Sequence, residues 1–303
     1  MEEILLLVST PIFVLLIFAE MLVSHFGHKN LYSKKDTLIN LLCTSLNFLN
    51  DIVFRGVTLF ILIWANQFAF FTWEHTWIYW VLLFLAQDLA YYTLHCADHY
   101  SRFFWAAHST HHSSEKFNFT VGIRSSVFQP YYRFIFYLPL AFFGFNALHI
   151  VFMYAACQVY GFWVHTELVN KMPRWFEYIF VTPSHHRVHH ASNVKYLDSN
   201  MGMVLIVWDR IFGTFVAEDK NEPVKFGLTK NLSSYSPVKV VFSEWSQMNK
   251  DIKKGQNIYQ KLGYVFAPPG WSHDGSSLTS KQMKENSIKS STNFVLFGHK
   301  SGT

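Results

Sequence analysis

The stretch SHHRVHH, residues 184–190, places four histidines within six consecutive positions. A second stretch, HSTHH at residues 108–112, repeats its H-x-x-H-H spacing, so chance clustering of histidine is a poor explanation. On a helix the positions i, i+3 and i+4 are neighbours, and each stretch therefore brings three imidazole rings together. Both stretches predict helices that carry part of a metal site built from ring nitrogens.

Further histidines extend this pattern. His95 and His99 in LHCADH have the i, i+4 spacing that lets one helix face hold one ion, and His165 ends a later apolar segment. A structural zinc takes four ligands and a catalytic zinc three, so nine nitrogens are too many for one ion and suit two. The predicted ligands are His95, His99, His108, His111, His112, His165, His186, His189 and His190.

Five other residues are candidates for a supporting role beside these ligands. His185 lies within the 184–190 stretch but outside its H-x-x-H-H triplet, so it is either a ligand or a neighbour of one. Asp88 and Tyr92 precede His95 on the same predicted helix face, where a carboxylate could accept the N–H of a ligating ring. Glu115 and Glu167 follow ligand histidines closely and are equally well explained as solvated caps.

The composition indicates a membrane protein. Half of the 303 residues are hydrophobic, 18% are aromatic and only 15% are charged. The net charge of +5 is scattered along the last part of the chain, so we expect no nucleic-acid partner. The three cysteines form no C-x-x-C pair, which argues against both a thiolate metal site and a disulfide framework.

Several apolar segments are long enough to cross a bilayer. The first lacks a cleavage site, which favours a retained anchor over a signal peptide, and the lysines that follow it mark a cytosolic side. Residues 37–50 are more polar and predict an interfacial helix or the start of a span. Arg55 can pair with Asp51 four residues earlier. The predicted spans are residues 4–23, 53–70, 76–94, 127–145 and 147–164, the last two forming a hairpin.

The predicted fold class is therefore all-α, with about four to five transmembrane helices capped by a cytosolic, helical, histidine-rich domain that holds two metals. We expect membrane spans over residues 1–87 and a catalytic domain with the two-span hairpin over residues 88–217. A cytosolic region follows over residues 218–303, and its tail, rich in Ser and Lys from about residue 272, is predicted to be flexible.

The residues leave several functions open, because imidazole binds iron, copper and zinc alike. A site at the membrane surface can receive a lipid chain from the bilayer and dioxygen from the cytosol, which favours oxidation of an unactivated C–H bond. A zinc transporter is the rival from another class, although it would place its ligands near the middle of the membrane. A third reading is a membrane protein with a zinc-stabilised cytosolic domain.

Four segments carry a resemblance to a known family: DLAYYTLHCADH at 88–99, FWAAHSTHHSSEKFN at 104–118, WVHTEL at 163–168 and TPSHHRVHHASN at 182–193. They resemble the fatty acid hydroxylase and sterol desaturase superfamily of integral-membrane di-iron enzymes. The likeness extends over about residues 88–271. The motifs HHSSE and TPSHHRVHH are most similar to those of the members that cleave alkylglycerol ether lipids.

The resemblance implies that the nine histidines bind two irons and that no other side chain is needed for catalysis. It implies a multi-pass protein of the bacterial inner membrane or the endoplasmic reticulum, with its active site facing the cytosol. Dioxygen would hydroxylate or desaturate a lipid drawn from the bilayer: an ether lipid or, alternatively, a sterol or fatty acyl chain. Electrons would come from tetrahydrobiopterin or from a redox protein.

Two features depart from the pattern of this family. The first histidine pair commonly reads HR-x-x-HE, whereas Cys96 and Tyr100 replace the arginine and the glutamate here. The chain also shows no further hydrophobic segment of the kind found in the animal members, so a shorter, bacterial-type member with another substrate is an alternative expectation.

Overall fold

The computed structural model describes residues 2–298, and this part of the chain is helical. It contains thirteen α-helices and two short 3-10 turns, and no strand within the described range. Two isolated β-bridges join Phe180 to Leu205 and Ala191 to Phe226. The predicted all-α fold class is confirmed.

Two N-terminal helices are apolar and largely exposed. α1 (Glu2–Phe26) contains an apolar stretch over Leu7–Phe26, and α2 (Lys34–Asn66) is 33 residues long. Within residues 2–298 these are the helices that are both long and apolar enough to cross a membrane, so the expected four to five spans are not confirmed. Large apolar side chains along both helices are exposed, which indicates association with a membrane.

α2 is one continuous helix rather than an interfacial helix followed by a separate span. Its polar side chains face neighbouring backbone instead of a water interface. The amides of Asn47 and Asn50 donate to the carbonyls of Ser126 (2.8 Å) and Val127 (3.0 Å). Because these partners satisfy the amides, the helix continues through the polar stretch that suggested a boundary.

The first arm of the predicted hairpin is not a single spanning helix. Residues 127–145 form a 3-10 turn (Gln129–Tyr131) and then α6 (Phe134–Phe142), whose nine residues extend only about 14 Å at 1.5 Å per residue. Pro130 lies in the turn and Pro139 lies inside α6, and proline cannot donate the backbone hydrogen bond of a regular helix. The second arm is α7 (Ala147–Trp163), with 17 residues.

The main core lies where α2, α6 and α7 pack with α3 (Trp77–Tyr100), around Leu62, Leu83, Leu94 and Ile150. α3 leads directly into α4 (Arg102–His112). The remaining helices are α5 (Phe119–Ile123), α8 (Arg174–Ile179), α9 (Pro183–His189), α10 (Val207–Phe212), α11 (Pro237–Ile252), α12 (Ile258–Phe266) and α13 (Ser280–Gly298).

The C-terminal region covers the histidine-bearing helices. α11 and α12 pack against α4, and α13 packs against a 3-10 turn at Val194–Tyr196. The segment predicted to be flexible from about residue 272 thus contains a helix over Ser280–Gly298, and its last residues, 299–303, lie outside the described residues.

Candidate metal centre

The nine histidines singled out from the sequence meet in two adjacent groups. Within each group, one ring nitrogen from every member lies within 4.8 Å of the others. All members are buried except His111, which is partly buried. The five-histidine group consists of His95, His99, His108, His112 and His189, and the four-histidine group of His111, His165, His186 and His190.

Helix geometry explains this division. Consecutive residues are rotated by about 100° around the axis, so i+4 lies only about 40° to one side of i, whereas i+3 lies on the other side of i. On α4, His108 and His112 enter the five-histidine group and His111 enters the other group. On α9 and its end, His189 enters the five-histidine group alone. Each H-x-x-H-H triplet therefore contributes to both groups, rather than placing all three rings in one as its spacing suggested.

Backbone carbonyls fix the orientation of several rings. Each of these rings directs Nδ1 outward to a carbonyl oxygen, which sets the Nδ1–H tautomer and leaves the lone pair of Nε2 facing into its group. The pairs are His95 with Met201 (2.7 Å), His189 with Ser199 (3.0 Å), His111 with Arg124 (2.8 Å) and His165 with Gly161 (2.7 Å).

The inward nitrogens are crowded and incompletely paired. The Nε2 atoms of His165 and His186 are 2.8 Å apart, and those of His95 and His108 are 3.1 Å apart. Among the described residues, the buried Nε2 atoms of His99, His189 and His190 have no hydrogen-bond partner. A metal ion would satisfy lone pairs that otherwise converge unbonded, and an all-imidazole donor set suits iron, copper or zinc. The site therefore fits two metal ions, one per group.

The protonation states favour metal binding. Burial lowers the pKa of His111 to about 4. Burial, followed by repulsion from neighbouring rings, lowers the pKa values of other ligands well below their usual range: His108, His112, His186, His189 and His190. These rings are neutral at pH 7, which is the form of histidine that binds a metal.

Two carboxylates near the five-histidine group were missed by the sequence analysis. An oxygen of Asp198 lies 3.1 Å from Nδ1 of His99. An oxygen of Asp98 lies 3.6 Å from Nδ1 of His108, and this buried carboxylate also accepts hydrogen bonds from Gln129 and Tyr132. Asp98 directly precedes a predicted ligand, which could have pointed to it, whereas Asp198 carries no comparable sequence signal.

Asp88 and Tyr92 contact other groups than the predicted ones. The fully buried carboxylate of Asp88 accepts hydrogen bonds from the backbone N–H groups of Val204 (3.1 Å) and Leu205 (3.0 Å) and from the indole of Trp208 (3.0 Å). The hydroxyl of Tyr92 bonds to Thr214 (2.9 Å). Asp88 therefore fastens the loop at Val204 and Leu205 to α3. It does not touch any of the nine histidine rings directly.

The other three candidates lie outside the two groups. His185 is buried, but its ring stands edge-on to Phe215 and its Nδ1 has no hydrogen-bond partner among the described residues. The side chains of Glu115 and Glu167 are exposed. These three side chains are therefore not members of the two groups of converging ring nitrogens.

Arg124 is a further buried charge that the sequence analysis did not single out. Its Nε donates to the carbonyl of Thr110 (2.7 Å), and its Nη1 donates to Asp36 (3.1 Å) and Asn40 (2.9 Å). Since its own carbonyl accepts from His111, the residue ties α2 and α4 to the four-histidine group.

Two cavities reach the histidines from different sides. The first, of about 320 Å³, lies between α1, α2, α6 and α7 and touches both groups. Gly122 and Gly161 line it beside His165 and Met203, where a Cβ on Gly122 would lie 3.1 Å from the His165 ring and one on Gly161 only 2.3 Å from the sulfur of Met203. The second cavity, of about 590 Å³, reaches only the five-histidine group, beside Trp105 and Trp271.

The comparison with protein families agrees with this geometry. Residues 80–214 match the family model described as "Fatty acid hydroxylase", a range that includes all nine histidines. Over this range the chain is similar to the fatty acid hydroxylase family. This finding confirms the resemblance on which the sequence analysis depended.

These residues and their flanks are similar to several curated proteins named alkylglycerol monooxygenase. The chain is 38% identical to that of Homo sapiens over 270 residues, which are 87% of this chain and 59% of the relative. It is 37% identical to that of Xenopus tropicalis (87% and 58%) and 32% identical to that of Caenorhabditis elegans (81% and 50%). The chain thus spans between half and three fifths of these relatives. No solved structure matches the chain significantly.

Proposed function

We propose that this protein is a membrane-bound di-iron oxygenase that uses dioxygen to hydroxylate a lipid C–H bond, with alkylglycerol ether lipids as its substrates. The observation that carries the proposal is the pair of histidine groups at the end of a cavity between apolar helices. Similarity to alkylglycerol monooxygenases supports the choice of substrate.

The nine imidazoles are proposed as the iron ligands. Two irons bound there would supply the activation of dioxygen, which organic side chains alone do not provide. The residues of the chain hold the neutral rings in place. Backbone carbonyls that accept from Nδ1 of His95, His111 and His165 fix which ring nitrogen faces inward. Burial of the rings excludes bulk water from the reacting carbon.

The first cavity is the proposed route for the lipid. It is lined by side chains of apolar helices, including Phe13 of α1, Leu62 of α2 and Ile150 of α7, before it reaches the histidines. A chain that enters from the bilayer can therefore stay in contact with apolar side chains until a C–H bond lies beside the centre.

Hydroxylation also requires a pair of electrons and protons, because only one oxygen atom of dioxygen enters the product and the other leaves as water. The second cavity gives a donor separate access to the five-histidine group, through His99, His112 and His189. We propose that tetrahydrobiopterin or a redox protein delivers the electrons from this side.

The proposed membrane arrangement is multi-pass, with about four to five spans and the active site facing the cytosol. Lys29, Lys34 and Lys35 support this orientation, since Lys29 lies in the connection between the two long apolar helices and the other two begin α2. We retain residues 1–87 as the membrane anchor, 88–217 as the catalytic domain and 218–303 as a cytosolic region.

Elemental analysis combined with product analysis tests this function. Protein purified in detergent is expected to hold about two irons per chain and, with a reductant, to convert 1-O-hexadecylglycerol to hexadecanal and glycerol. Oxidation of a sterol or a fatty acyl chain instead would replace the ether-lipid assignment and retain the oxygenase. Stoichiometric zinc that persists after anaerobic loading with iron, with no lipid oxidised, would overturn the proposal.

A further inference from the structure

The first cavity contains a cluster of charged and polar side chains at some distance from the histidines. Arg133 pairs with Asp51, and Arg55 pairs with Glu2, at contacts shorter than ordinary hydrogen bonds. The sequence had suggested that Arg55 pairs with Asp51 on the same helix, but the two residues take partners from other helices. All four side chains line the cavity.

Three further side chains add hydrogen-bonding groups to this cluster. The hydroxyl oxygen of Tyr154 accepts from Arg133 (3.0 Å) and from Gln158 (2.7 Å), so its own proton is available to another acceptor. The hydroxyl of Tyr137 is buried and has no partner among the described residues, and the side chain is 3% exposed. Both tyrosines line the cavity, with their rings edge-on at 5.5 Å.

This cluster is costly if it serves packing alone. Charged groups between apolar helices are expensive to bury, and a buried hydroxyl without a partner adds to the cost. Tyr137, with its unpartnered hydroxyl, and Tyr154, with its spare proton, line the same cavity as the histidines. A ligand with hydrogen-bonding groups in that cavity would satisfy both.

The distance from the cluster to the metal centre suits a small head group. Gln158 lies on α7 about 8 Å along the helix axis from Trp163, where the helix ends, and His165 follows two residues later. A short polyol joined through its ether oxygen to the reacting carbon can fill this space, with its hydroxyls at Gln158 and the tyrosines and its alkyl chain along the apolar side chains of the same cavity.

We infer that Tyr137, Tyr154, Gln158 and Arg133 bind the uncharged polyol head group of the lipid substrate. The inference rests on the proposed function and assigns the residues that recognise this head group. Each arginine in the cluster already has a carboxylate partner, so an anionic head group would bring an uncompensated charge into an apolar site. Hydroxyls both donate and accept, and they match the groups that the cluster leaves unused.

Anaerobic binding to the iron-loaded full chain in lipid nanodiscs tests the head-group site without turnover. The probes are 1-O-hexadecylglycerol and hexadecane, which share a chain and differ in the polyol. Tyr137→Phe is expected to weaken binding of the glycerol ether about tenfold and to leave hexadecane unchanged. Tyr259→Phe, at a position 82% exposed on α12, is the matched control and should change neither.

Equal weakening of both probes, or no weakening of the glycerol ether, would overturn the assignment of Tyr137. A second pair of variants tests the charge argument independently. Asp51→Asn leaves Arg133 without its carboxylate, and Glu2→Gln does the same for Arg55 at the more accessible end of α1. Each is expected to shift the affinity ratio about tenfold toward 1-O-hexadecylglycerol 3-phosphate, and an unchanged ratio in both would overturn the preference for an uncharged head group.

Failure of this inference can be distinguished from failure of the proposed function. If the protein oxidises ether lipids and Tyr137→Phe leaves their binding unchanged, the head-group site is wrong and the oxygenase stands. If no lipid is oxidised while glycerol-ether binding still depends on Tyr137, the polyol site stands and the proposed oxygenase is wrong.

Discussion

The two histidine groups share helices, but different segments of the chain accept the hydrogen bonds that hold their rings in place. In the five-histidine group, the outward nitrogens of His95, His99 and His189 all bond within residues 198–201. In the four-histidine group, His111 and His165 bond to Arg124 and Gly161, on the side of the first cavity. The comparison teaches that one centre is assembled from two separately supported halves.

Each half has its own buried carboxylate behind it. Asp209 accepts from the backbone N–H groups of Met201 (2.6 Å) and Gly202 (2.9 Å) and so shapes the loop that orients the five-histidine group. Asp36 pairs with Arg124 at 3.1 Å and so supports the four-histidine group. Substitutions can therefore weaken one half and leave the other.

Removal of a single ligand should have the largest effect. His186→Ala is expected to empty the four-histidine group, reducing iron by about half and oxygenase activity by several orders of magnitude, because the substitution leaves three imidazoles in that group. His185→Ala, one residue away and outside both groups, should keep the iron of the parent. Elemental analysis of both variants checks this division, and equal loss in the two would contradict it.

Breaking the buried ion pair behind the four-histidine group should reduce stability strongly. Arg124→Met leaves Asp36 charged and unpaired at 1% exposure, which costs about 3–5 kcal/mol of unfolding free energy. Denaturant unfolding in detergent measures the loss. Arg174→Met, at an exposed position, should stay within about 0.5 kcal/mol. If the double variant Arg124→Met, Asp36→Leu is no more stable than Arg124→Met, the unpaired charge is not the cause.

A smaller and more selective effect is expected from Asp209→Asn. The amide keeps one acceptor oxygen but loses the charge, so the loop at Met201 and Gly202 should weaken by about 1.5–3 kcal/mol. Competition with a chelator should then remove iron more easily from the five-histidine group than from the other. Asp219→Asn, at the protein surface, is the control; uniform weakening of both irons would argue against separate support.

Acid should affect both groups together. The pKa of His111 is about 4 in the fold, compared with about 6.5 in an unfolded chain, and the other cited rings are shifted in the same direction. As pH falls from about 6.5 toward 4, the unfolded chain takes up protons that the folded chain does not, so stability declines. Iron should leave over the same range. Unfolding and iron retention measured from about pH 8 downward check this; increased stability on acidification would contradict it.

The smallest effect is expected at the exposed carboxylates. Glu115→Gln and Glu167→Gln should change unfolding free energy by no more than about 0.5 kcal/mol and leave the iron content unchanged. A measurable loss of iron in either variant would show that the carboxylate supports a ligand after all.

The convergence of the nine histidines could be predicted because helix periodicity is visible in the sequence. The i, i+4 spacing of His95 and His99 and the repeated H-x-x-H-H pattern each brought rings together as spacing requires. The division of each triplet between two groups was not predicted, since it depends on how α4 and α9 are turned toward one another.

The supporting contacts could not be predicted in the same way. Most acceptors behind the rings are backbone carbonyls, such as those of Met201 and Arg124, and every residue type has one. Asp88 was placed on the correct face of α3, but its partners are backbone N–H groups more than a hundred residues later.

Apolar run length was a weaker guide than histidine spacing. It predicted a span over residues 127–145, where Pro130 and Pro139 instead leave a turn and a nine-residue helix. It also left open whether residues 37–50 form an interfacial helix or the start of a span; they are part of α2, where the asparagine side chains find partners within the protein. Local hydropathy does not record either effect.

Gly122 and Gly161 bring bare backbone against the side chains beside the four-histidine group. A Cβ on Gly122 would lie 3.1 Å from the His165 ring, and one on Gly161 would lie 2.3 Å from the sulfur of Met203. Any larger residue at either position would have to displace that ring or that thioether. The arrangement of the centre therefore depends on atoms that are absent as well as on those that are present.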